Sequence, residues 1–84
     1  MATNESIRSQ KIDLQDVVET KARQLRSLLF VTYGEETSGR EFRGMSDELQ
    51  DAYMWACADM AHDIVKALDG ISELSSKETE ARHA

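Results

Sequence analysis

An 84-residue chain with one cysteine and no proline has room for a single small domain and cannot form an intrachain disulfide. Its 16 acidic and 10 basic side chains give a formal net charge of −6. Sequence-independent binding to a phosphate backbone needs clustered Lys and Arg, so no direct nucleic-acid binding is expected. No stretch approaches the ~18 apolar residues that cross a bilayer, and the opening MATNESIRSQK lacks the apolar run of a signal peptide. A cytoplasmic protein without a membrane contact is expected.

Residues 1–12 read as a flexible segment in which Ile7 and Ile12 pack only if a helical turn forms. From Asp13, a residue able to cap a helix, to Tyr33, the positions Leu14, Val18, Ala22, Leu25, Leu29 and Thr32 recur at steps of three and four. That spacing lays an apolar seam along one face of a helix over residues 13–33. Val17 and Leu28 widen the seam, and Gln15, Glu19, Arg23 and Arg26 occupy the solvated side. Gly34 stands where a left-handed residue closes a helix.

Residues 34–45, GEETSGREFRGM, carry three glycines and no apolar period, which predicts a loop. Phe42, its one large apolar side chain, is expected to fold back over the open end of the helix pair. Ser46 is a good N-cap, and Asp47 and Glu48 complement the helix dipole in the first turn. A second helix is predicted over residues 46–69, stopping at Gly70, with weak helical resumption through ISEL. Residues 71–84 then form a polar, mostly disordered tail. The fold class is all-α: an antiparallel helical hairpin over residues 13–70.

Projected at about 100° per residue, Leu49, Tyr53, Ala56, Met60, Ile64, Ala67 and Ile71 form the line that faces the first helix. A second set, Met54, Cys57, Ala61, Val65 and Leu68, lies beside it. One partner helix cannot cover so wide an apolar arc, and an uncovered flank marks an interface. The expected solution is a homodimer forming a four-helix bundle. Trp55 belongs to neither set. It shares its sector with Asp51, Asp59, His62 and Lys66, and Trp55, Asp51, Asp59 and His62 are the candidate partner-binding residues.

Reactive chemistry is not expected. Asp59 and His62 have the i,i+3 spacing of carboxylate-bridged metal bundles, but such sites project into a bundle interior, and this pair lies about 100° or more from the core line. No metal and no cofactor are therefore assigned. Cys57 points into the apolar arc without an orienting base, and the glycines match neither the P-loop nor the dinucleotide fingerprint. The basic residues Lys11, Lys21, Arg23, Arg26, Arg40 and Arg43 are interleaved with acids and read as mixed solvated surface. A long loop and an acidic start to the second helix also disfavour helix–turn–helix DNA recognition. No catalytic residue is assigned.

The segments VVETKARQLRSLL and FRGMSDELQDAYMWACADMAHDIVKAL, joined by an acidic loop, resemble small two-helix proteins of proteobacteria that form a domain of unknown function. The likeness covers residues 12–70 and implies a helical hairpin. The second segment is also similar to small acidic helical modulators of Hha-type nucleoid proteins. The function expected from the residues is that of a non-enzymatic adaptor, modulator or inhibitor acting by contact with another protein. The alternatives are a small metal- or ligand-binding bundle and a phage-type inhibitor or modulator of a nucleic-acid-binding protein.

Overall fold

The computed structural model describes residues 3–33 and 39–83, apart from the side chains of Tyr33 and His83. The elements are α1 (Asn4–Tyr33), α2 (Arg40–Arg43) and α3 (Asp47–His83). Among the described residues every element is helical, and α1 packs against α3 as an antiparallel hairpin. The closing role expected of Gly34 and residues 34–38 of the predicted loop lie outside the described residues, and the rest of that loop contains the short helix α2.

Both long helices run further than the sequence predicts. α1 starts at Asn4 rather than Asp13, because the Thr3 hydroxyl accepts the Ser6 backbone N–H at 3.0 Å and Thr3 O accepts that of Ile7 at 2.9 Å. α3 is capped as expected, the Leu49 N–H donating to Ser46 Oγ at 3.2 Å, but it continues through Gly70 to His83. Gly70 serves close packing. A Cβ there would stand 2.9 Å from Leu14 Cδ1. The two presumed tails cover each other: Ile7 and Leu74 are buried, and Lys11 Nζ lies 3.6 Å from Glu78 Oε2. Each terminal stretch is too polar to hold a helix alone, and the apolar residues of one supply the partner for the other.

The buried and half-buried positions follow a seven-residue repeat. On α1 they include Ile7, Lys11, Leu14, Val18, Lys21, Leu25, Leu28 and Thr32; on α3 they include Gln50, Tyr53, Cys57, Met60, Ile64, Ala67, Ile71, Leu74 and Glu78. Steps alternate between three and four throughout, the 3.5-residue period of a coiled-coil seam. A 3.6-residue projection drifts by about 20° per heptad against that period. The drift, with two lysines occupying seam positions, displaces several expected core residues. Ala22, Leu29, Leu49 and Ala56 were expected in the seam and are exposed, whereas Lys21, Leu28 and Cys57 occupy it. Leu14, Val18, Leu25, Tyr53, Met60 and Ile64 lie in the seam as expected. The Lys21 ammonium lies 3.8 Å from the Asp63 carboxylate at the edge of the seam, while its aliphatic stem lines the interface.

At the open end, Gly39 adopts φ 73°, and α2 brings Phe42 to 5.5 Å, centroid to centroid, from the Tyr53 ring at a 60° tilt. The Tyr53 hydroxyl donates to the Leu28 carbonyl. Gln50 Nε2 donates to Met45 O at 2.9 Å, which fastens the turn to the first seam position of α3. The whole is one helix layer, 58 × 23 × 15 Å, with a radius of gyration of 18.0 Å. A compact chain of this length would have a radius of about 12 Å.

Candidate protein-interaction surface

With the seam fixed, each helix has two flanks, and the flanks differ in chemistry. On one side of α3, Met54, Ala58, Ala61, Val65 and Leu68 repeat at steps of four and three, a second apolar stripe parallel to the seam. Met54, Val65 and Leu68 are exposed, Val65 to 56%. The same side of α1 carries Ile12, Ala22 and Leu29, also exposed, with Glu19 and Arg26 further out. The cross-helix pairs Lys11–Glu78, Leu14–Gly70, Lys21–Asp63 and Tyr53–Leu28 set the relative levels. They put Leu29 beside Met54, Ala22 beside Ala61 and Gln15 beside Leu68. The stripe from Met54 to Leu68 spans about 21 Å at 1.5 Å per residue.

The opposite flank is mixed: Val17 and Leu49 are exposed there beside Asp63, Lys66 and Glu73. A shallow recess there is lined by Leu14, Val17, Ala67 and Gly70 together with the charged Asp63, Lys66, Asp69 and Glu73. Its alternating charges favour solvent. The molecule therefore has one broad face with a continuous apolar stripe and one on which charged and apolar side chains alternate.

Of the residues assigned to a dimer flank, Met54, Ala61, Val65 and Leu68 share the apolar face, but Cys57 is only 4% exposed and belongs to the hairpin seam. Ala58 takes the place assigned to Cys57. The heptad period shows why: a stripe running through Met54 and Ala61 at steps of four and three passes through residue 58. Trp55, at 70% exposure, stands on the outer edge of α3 beyond the apolar stripe, with Asp51, Asp59 and His62 exposed along the same edge. Among the described residues no three His, Cys, Asp or Glu side chains come together as metal ligands, and no helix is long and apolar enough to cross a membrane.

Among titratable groups, Tyr53 stands out. Burial pushes its phenol above the ordinary value, and the charge of a Cys57 thiolate would push it the same way. Its hydroxyl is committed to Leu28 within the hairpin, so it acts in folding and is not offered to a substrate.

No family model, curated protein or solved structure matches this chain. What the protein does is therefore inferred from its own surface.

Proposed function

We propose that this chain is a non-enzymatic interaction protein, a helical hairpin that pairs with a second copy and presents an acidic, Trp-bearing edge to another protein. One observation carries the reading: a single helix layer leaves the stripe Met54, Ala58, Ala61, Val65 and Leu68 uncovered beside Ala22 and Leu29. Stable domains bury such stripes against a second layer. The exposed surface supports the same conclusion. It measures 6617 Å² for a 9.5 kDa chain, ~1,500 Å² more than a compact monomer of that mass exposes. A standard interface removes about 800 Å² from each partner, so the excess is ample for one self-association face.

Trp55 remains outside that face. Aromatic anchors flanked by carboxylates suit a partner with an apolar pocket and a basic rim, the charges steering encounter and the ring supplying affinity. Sedimentation at tens of micromolar tests the first half of the proposal. A dimer is expected, and Met54→Glu or Val65→Glu should return it to monomer while leaving the helical circular dichroism signal in place. A wild-type chain that sediments as a monomer at that concentration would overturn the proposed pairing.

A further inference from the structure

We infer that the second copy lies on the apolar face about a two-fold axis perpendicular to the helices, passing beside Ala22 and Ala61, so that α3 packs antiparallel on the partner's α3 and α1 on the partner's α1. This rests on the proposed pairing and adds its geometry. The stripe on α3 is symmetric in its large ends and small centre: Met54 and Leu68 lie seven residues to either side of Ala61, and Ala58 and Val65 lie three and four residues from it. Reversed onto itself about Ala61, it sets Met54 against Leu68, Ala58 against Val65 and Ala61 against Ala61. Each large side chain meets a large one at the ends, and a small one lies at the middle. That middle lets the helix axes approach to the short end of the usual 8–10 Å.

The same operation acts on α1, where Ala22 is level with Ala61. It brings Arg26 of each copy to Glu19 of the other, two equivalent ion pairs at the rim of the face. Glu19 is already held by Arg23 at 2.7 Å on the exposed side of α1, which limits the rotamer freedom lost on pairing. The competing two-fold axis, parallel to the helices, would lay α3 on the partner's α1 without reversing the level. It would set Val65 against Glu19 and Ala58 near Arg26, so that each charge meets apolar surface and gains no partner across the interface. Charge complementarity therefore selects the perpendicular axis, and the area argument identifies the occupant as a second copy.

The test uses the full chain with the buried thiol removed by Cys57→Ala. Ala61→Cys, and separately Ala22→Cys, are oxidised at a concentration where sedimentation gives the dimer. Residues facing themselves across a two-fold axis at this spacing fall within the 4.4–6.8 Å Cα separation that a disulfide spans. Near-complete covalent dimer is expected for each variant alone. If both remain uncrosslinked as dimers and the linkage forms only when the Ala22→Cys and Ala61→Cys chains are mixed, the axis is the parallel one and the inference fails. If every variant and the parent chain are monomeric, the proposed pairing itself has failed. Arg26→Glu supplies a second readout without a new thiol: placing a carboxylate opposite Glu19 should raise the dissociation constant roughly tenfold. An unchanged constant would remove the ion pair and with it the choice of axis.

Discussion

At the scale of the residue, two positions near the open end govern how the hairpin turns. Gly39 sits at φ 73°, and a Cβ there would run into the Thr32 carbonyl oxygen and within 2.9 Å of Arg43 Nη1. Gly39→Ala therefore adds left-handed strain, about 1–2 kcal/mol, to a backbone collision, and urea unfolding should show a loss of at least that size. Tyr53 ties the same end through its hydroxyl to Leu28. Removing that group with Tyr53→Phe should cost about 1 kcal/mol at neutral pH. The sign of the pH effect follows from the raised phenol: stability from the protonated hydroxyl is complete below the ordinary tyrosine value near 10 and is lost as pH rises through the higher folded value. The wild-type chain should accordingly begin to lose its advantage over Tyr53→Phe in urea titrations carried above about pH 10; an advantage that does not shrink as pH rises further would show that the hydroxyl proton is not what stabilises this end.

At the scale of the element, α1 and α3 exceed their expected lengths for a reason local sequence cannot display. Neither the polar opening nor the polar end has the apolar density of a stable helix, yet Ile7, Lys11, Leu74 and Glu78 continue the heptad on both helices at once. The added turns exist as a pair or not at all. Leu74→Ala should cost about 2 kcal/mol, near the lower end for a buried leucine because a thin two-helix layer surrounds the site with few neighbours. Amide exchange should then quicken together around Ile7 and around Leu74; loss of protection at one end alone would break the coupling. The caps at Ser46, the loop glycines and the two-helix arrangement were legible because each depends on neighbours in sequence. The extensions, the passage of α3 through Gly70 and the lysines in the seam were not, because they depend on what stands opposite. Leu14 makes Gly70 useful, and Asp63 and Glu78 make seam lysines tolerable. The apolar flank itself was visible, with Cys57 in place of Ala58, since a period of 3.6 instead of 3.5 shifts one member of the stripe.

At the scale of the whole molecule, a layer 15 Å thick whose buried apolar side chains among the described residues are Ile7, Cys57, Ala67 and Leu74, none of them completely enclosed, has little core of its own. Pairing would couple its folding to concentration: a dimer that dissociates on unfolding melts at higher temperature as protein concentration rises. Trp55 should stand outside that dependence. Its ring is 70% exposed and lies off both the seam and the apolar stripe, so truncating it leaves no cavity and removes little buried area. Trp55→Ala should keep the melting temperature, and its rise with concentration, within the narrow range of ordinary surface substitutions, about ±0.5 kcal/mol. Quenching by a neutral solute should reach the wild-type ring freely in the dimer. A loss of ~3–5 kcal/mol, the scale for removing a buried Trp, together with a ring shielded from quencher, would place Trp55 inside the dimer interface. The two-fold axis would then have to tilt toward the outer edge of α3, and the edge formed by Asp51, Asp59 and His62 would no longer be free for another protein.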